Sequence, residues 1–174
     1  LHLAMMGHRM TVVDVSAEFV ELIRRRAARH GLQIDVVCSD MLDFETDRRF
    51  DAVVFFESFH HCADHLRLLA RIGSMVADEG VVLFGVEPIT PRPDEWGDYP
   101  WGIRLDGMSI WSAIRFGWLE LGFTDDYFLE ALRRTGWQGE IARSARAGGH
   151  AIAVARRRPS DGRTAPPPGP VSPE

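Results

Sequence analysis

The chain has 174 residues, 45% of them hydrophobic, and a formal net charge of −5. That length supports one domain with a real core, and no stretch approaches the roughly 20 apolar residues of a membrane span. The acidic balance argues against a nucleic-acid surface, and the short runs Arg24-Arg25-Arg26 and Arg156-Arg157-Arg158 do not overturn that. All 20 basic residues are Arg and the chain has neither Lys nor Asn, which reads as the bias of a GC-rich genome. Cys38 and Cys62 make no disulfide framework and suit a reducing cytoplasm. The opening residues lack a charged leader and a cleavage site, so no signal peptide is expected. A first residue other than Met reads as a fragment or a mid-gene start.

Leu1–Gly7 reads as the end of a helix capped by Gly7, and Met10–Val15 as a strand. Ser16 is a good N-cap with Glu18 in the first turn. The helix it opens runs to His30 and stops at Gly31, with Phe19, Val20, Ile23 and Ala27 facing inward. Ile34–Cys38 is a short buried strand, Met41–Arg49 a polar connection, and Phe50–Phe56 a central parallel strand by its near-continuous apolar run. Ala63–Ala77 reads as a helix with Leu66, Leu69, Ala70 and Ile72 or Gly73 inward. Asp78-Glu79-Gly80 is expected to turn into a strand over Val81–Val86.

The alternation then breaks. Residues 87–125 carry Pro88, Pro91, Pro93 and Pro100 with Trp96, Trp101, Trp111 and Trp118. A connection this long inside a compact domain is usually functional. A helix is expected within Ile110–Leu121 and another over Asp125–Thr135. Gly139–Ala145 and His150–Arg156 read as antiparallel strands joined by a tight Arg146–Gly149 connection. From Arg157 the composition collapses to Pro, Gly, Ser and Arg, which predicts a disordered tail over 157–174. The expected organisation is one domain over 1–156, with an aromatic-rich insertion or lid over 88–125.

The segments "VVDVS", "VCSDMLDF", "FDAVVFFESFHHC" and "ADEGVVLFGVEPI", in that order and spacing, resemble a class I S-adenosylmethionine-dependent methyltransferase. The resemblance implies an α/β, Rossmann-like sheet, mostly parallel, with a C-terminal antiparallel hairpin. The family's first strand and Gly-x-Gly-x-Gly-like loop would precede Leu1, so the chain reads as truncated there. "ESFHHC" with "GVEPI" distantly resembles bacterial methyltransferases of sugar and cell-surface polysaccharide synthesis. Methyl transfer to a small-molecule or saccharide acceptor in the cytoplasm is the expectation, with S-adenosylmethionine as cofactor and no nucleic-acid or membrane partner. The alternatives are a fragment of an NAD(P)-dependent oxidoreductase and a non-catalytic interaction module.

In an open parallel sheet, ligands bind outside the carboxyl ends of the strands. Asp14, Asp40, Glu57 and Glu87 all fall at such ends. The resemblance implies that Asp14, with Val15, grips the ribose hydroxyls. It implies that Asp40 takes the adenine amino group while Met41 and Leu42 pack on the ring. Glu57 and Ser58 fall where donor and acceptor meet. His60 or His61 could serve as general base, because imidazole titrates near neutrality, with Glu57 beside them. Glu87, Trp96 and Trp101 are candidate substrate contacts. His61 and His65 would share a helix face at a metal-like spacing. No second ligand cluster is evident, so no metal is expected.

Overall fold

A computed structural model describes residues 1–91, 98–143 and 151–158. A short helix α1 (His2–Met5) leads to strand β1 (Met10–Asp14), helix α2 (Ala17–Arg29) and strand β2 (Ile34–Cys38). Strands β1 and β2 form a parallel pair with Asp14 opposite Cys38. Helix α2 starts because the Ser16 side chain accepts the Phe19 N–H at 3.3 Å, with Glu18 in its first turn and Arg26 and Arg29 in its last. Val20 and Ala27 are buried on its inner face, whereas Phe19, expected inward, is 51% exposed.

Strand β3 (Phe50–Phe56) runs parallel to β4 (Val76–Gly85), and the helix α3 (His65–Ile72) crosses between them. Asp78-Glu79-Gly80 is not a turn: β4 runs straight through it, and the pairing instead slips between Phe50–Val76 and Ala52–Val81. Gly80 permits the slip, since a Cβ there would lie 2.7 Å from Val76 Cγ1 and 3.0 Å from the Phe50 carbonyl oxygen. Helix α3 is shorter than expected and buries Leu68, Leu69 and Ile72, while Ala70 faces solvent.

The segment after β4 holds more regular structure than its proline content suggests. Strands β5 (Ile89–Thr90), β6 (Trp101–Ile103) and β7 (Leu121–Thr124) form a small sheet in the order β5-β7-β6. Helix α4 (Gly107–Phe116) lies between β6 and β7. The helix expected within Ile110–Leu121 therefore begins earlier, under an Asp106 cap, and ends at Gly117, whose φ of +71° suits glycine. Leu121 and Phe123 are buried in the main core, so the end of this segment is part of the domain's interior.

Helix α5 (Asp125–Arg134) leads into strand β8 (Trp137–Arg143), which pairs antiparallel with β9 (Ala151–Arg157). Strand β9 also pairs antiparallel with β4, giving a sheet ordered β3-β4-β9-β8. Arg157 belongs to β9 and not to the tail. The expected Arg146–Gly149 connection, residues 159–174 of the tail and Trp96 lie outside the described residues. The core gathers Phe55, Phe59, Phe84, Phe123 and Phe128 between α3, α5 and the sheet, and Trp137 donates its indole N–H to the Leu69 carbonyl at 2.9 Å. Among the described residues β3 pairs on one side only and is not bonded to β1, so the strand read as central has an open edge.

Candidate functional site

The parallel pairs β1–β2 and β3–β4 end in acids. At the end of β1, the Asp14 Oδ1 accepts the Ser16 N–H at 2.8 Å. Beyond β2, the Asp40 Oδ1 accepts the Leu42 N–H at 2.7 Å. Each carboxylate is thus anchored by one oxygen, and the other makes no hydrogen bond among the described residues. Those free oxygens are the acceptors that a pair of ribose hydroxyls or an exocyclic amine needs. Met41 and Leu42 are half-buried and pack against the core beside Asp40. Val15 is 73% exposed.

The ends of β3 and β4 are strained. Glu57 and Val86 have φ of +47° and +59°, a region that non-glycine residues enter at a cost of about 1–3 kcal/mol. The distortion turns the chain after β3 into a 3-10 turn over Phe59–His61 and turns Glu87 inward beneath it. The Glu87 side chain is fully enclosed. It accepts the backbone N–H groups of Ser58 at 3.0 Å, Phe59 at 3.1 Å and His60 at 3.1 Å, and faces His60 Nδ1 at 2.7 Å. Glu87 was expected at the substrate. With its oxygens taken up by the turn, it holds the Ser58–His60 backbone and the His60 ring in place.

The histidines differ. His60 is buried, with Nδ1 on Glu87 and Nε2 lying 3.3 Å from Glu120 Oε2. His61 is half-buried, and its Nδ1 lies 2.6 Å from the Leu119 carbonyl oxygen. A carbonyl only accepts, so Nδ1 carries the proton and Nε2 of a neutral His61 keeps its lone pair. The two rings are 4.1 Å apart. Glu57 is exposed beside them, and Ser58 is half-buried with its N–H committed to Glu87.

The tryptophans divide between two places. Trp118 lies 5.9 Å from the His61 ring, stacks on Phe116 at 4.6 Å, and Phe116 meets Trp111 at 5.2 Å, a chain of rings leading from His61 to α4. Trp101 lies elsewhere, 4.9 Å from His65 and 6.1 Å from Tyr127. His65 is enclosed there, its Nε2 2.6 Å from the Tyr127 hydroxyl and its Nδ1 without a partner. Burial pushes the His65 pKa below the ordinary imidazole value and the Tyr127 pKa up to about 12. The expected His61–His65 face is therefore split, because α3 starts only at His65 and points it into the core. Glu120 escaped the sequence reading, and Trp118 was read only as one of the insertion's tryptophans. The signal for Glu120 was a lone acid inside Trp118-Leu119-Glu120-Leu121, where a charge is out of place unless paired.

Comparison with known proteins gives these positions a context. Residues 1–80 match the model of a family described as a methyltransferase domain. A ubiquinone biosynthesis O-methyltransferase of Actinobacillus pleuropneumoniae serotype 5b (strain L20) is 26% identical over 88 residues, 47% of this chain and 38% of that protein. The structure is similar to the 1,6-didemethyltoxoflavin-N1-methyltransferase of Burkholderia thailandensis, solved with 1,6-didemethyltoxoflavin and S-adenosylhomocysteine. Their TM-score is 0.63 at 22% identity, over 90% of this chain and 64% of that one. It is equally similar to the [4+2]-cyclase SpnF, with a TM-score of 0.64 at 18% identity, over 90% and 68% of the two chains. The chain spans well under half the length of the curated relative it matches.

Proposed function

We propose that the chain is a class I S-adenosylmethionine-dependent methyltransferase domain that takes part in methyl transfer to a small-molecule acceptor, a reading supported by the methyltransferase-domain match over residues 1–80 and by the likeness of fold. The observation that carries the reading is the pair of half-anchored carboxylates, Asp14 and Asp40, at the ends of adjacent parallel strands. In this reading Asp14, with Val15, takes the ribose hydroxyls, and Asp40 takes the adenine amino group over Met41 and Leu42. Glu57 and Ser58 border the methionine part. The bound cofactor supplies an electrophilic methyl group on a sulfonium.

The acceptor lies against Trp118 and Phe116, with the His60–His61 turn beside it. Exposed ring faces take a planar ring or the apolar face of a sugar, so a saccharide is the narrower form of the proposal. His61 Nε2 takes the acceptor proton, while His60, clamped on both sides by carboxylates, positions the turn. Most of the rate comes from holding two reactants in line.

A second reading follows from the cyclase likeness: the same fold without methyl transfer. Calorimetry with S-adenosylhomocysteine tests the cofactor half of the proposal. Asp14→Ala is expected to lose about 1.5–3 kcal/mol, the range for a hydrogen bond to a charged group, which is roughly tenfold or more in Kd. Unchanged affinity refutes the Asp14 assignment. Binding without methyl transfer to any acceptor favours the cyclase-like alternative.

A further inference from the structure

We propose that His60, His61 and Glu120 form a binding site for one divalent cation of the zinc class. Each residue offers a ligand atom, and these atoms lie within 4.8 Å of one another. The His60 Nε2 to Glu120 Oε2 separation is 3.3 Å. Two ligands on a tetrahedral centre with bonds of about 2.0 Å stand about 3.3 Å apart. Two histidines and one glutamate also make a ligand set that zinc sites use when they keep a fourth position open.

The orientation of the rings is an independent observation. A metal-binding histidine donates its other ring N–H to a carboxylate or a backbone carbonyl, which fixes the tautomer and aims the lone pair. Both histidines do this: His60 Nδ1 lies on Glu87 and His61 Nδ1 on the Leu119 carbonyl. In a neutral imidazole at either position, the lone pair is then on Nε2. A neutral His60 then faces lone pair to lone pair across 3.3 Å with Glu120. That contact is repulsive unless a positive charge lies between them.

The charge balance points the same way. Glu87 and Glu120 are both buried, and among the described residues the Glu120 carboxylate has the His60 ring, at 3.3 Å, as its charged neighbour. Buried carboxylates persist only when compensated. A cation held by His60, His61 and Glu120 supplies that compensation. Its open position takes water or an acceptor oxygen or nitrogen. In the loaded protein His61 is a ligand and no longer a free base, and the cation lowers the pKa of the bound acceptor group.

The competing account is a proton in place of the metal, with His60 as an imidazolium between the two carboxylates. The test uses the full chain without cofactor or acceptor, so its outcome is independent of the methyl-transfer reading. Equilibrium dialysis with Zn²⁺ is expected to give one ion per chain, and Co²⁺ to give the visible bands of a four-coordinate site. The Co²⁺ spectrum of the unaltered chain needs no variant to fold. His61→Gln and Glu120→Gln are each expected to weaken Zn²⁺ binding by at least about tenfold, while His8→Gln at the exposed surface leaves it unchanged. Absent stoichiometric binding, affinity indifferent to Glu120 and His61, or nitrogen NMR showing His60 doubly protonated in the presence of Zn²⁺ each overturns the proposal.

Discussion

Replacing Glu87 by Gln removes one charge and changes one oxygen to an amide group, with the side-chain shape conserved. In the native turn Oε1 accepts the Ser58 and Phe59 N–H groups and Oε2 accepts from His60 N–H and Nδ1. Gln keeps one acceptor oxygen, so whichever way it turns, two donors meet its NH₂ group. Each hydrogen bond to a charged group contributes about 1.5–3 kcal/mol. Losing two costs about 3–6 kcal/mol, a large part of the about 5–15 kcal/mol that holds a domain folded. A chain of this size loses about 2–4 °C of melting temperature per kcal/mol, so Tm should fall by about 6–24 °C. Urea unfolding followed by circular dichroism measures the effect directly, with Glu79→Gln at an exposed position as the control. A urea midpoint equal to the native one, with an unchanged m-value, would refute the view that Glu87 organises the turn.

Other outcomes follow from the same structure. Gly80→Ala should destabilise by about 1–3 kcal/mol, the cost of overpacking, because its Cβ meets the Val76 methyl and the Phe50 carbonyl; a urea midpoint at the native value contradicts this. His65 is buried with its folded pKa below the unfolded value near 6.5, so the unfolded state binds the proton first as pH falls. Stability should therefore be undiminished above about pH 6.5 and decline below it. His65→Gln should flatten that decline in melts between pH 7 and 5, and an unaltered slope rules the cause out. With a saturating acceptor, His61→Gln should lower turnover by about 10²-fold or more and leave S-adenosylhomocysteine affinity unchanged, read by kinetics and calorimetry side by side. Full turnover in that variant removes His61 from the chemistry.

Elements with local signals were legible in the sequence. Strands β2 and β3 match the residues their apolar patterns named, and α2 and α5 begin where Ser16 and Thr124 cap them. Strands β5, β6 and β7 were not legible, because pieces of two to four residues carry no period to detect. Helix α4 is apolar on most of its circumference, with Met108, Trp111 and Ile114 exposed, so periodicity could not mark its ends. The strand-end acids were readable one by one. What each acid faces was not: Glu87 and Asp14 look alike as residues following a strand, and only the strained turn at Val86 sends one of them inward. Glu120 could be noticed as an acid among apolar neighbours, but its pairing with His60 comes from β7 and β3 being brought together by the core.

The left-handed backbone at Glu57 and Val86 bears on how this protein could change. Glycine relieves the strain at either position, removing a backbone cost of about 1–3 kcal/mol against its own entropic cost of about 0.5–1 kcal/mol. Val86 directly precedes Glu87, and Glu57 opens the turn that carries both histidines. A programme of thermostabilisation that ranked sites by backbone strain would choose these two first. It would thereby loosen the hinge on which the Glu87 carboxylate is aimed. Heat tolerance and accuracy of aim draw on the same two residues, so gains in robustness are better sought along β8, at the other edge of the same sheet, away from both.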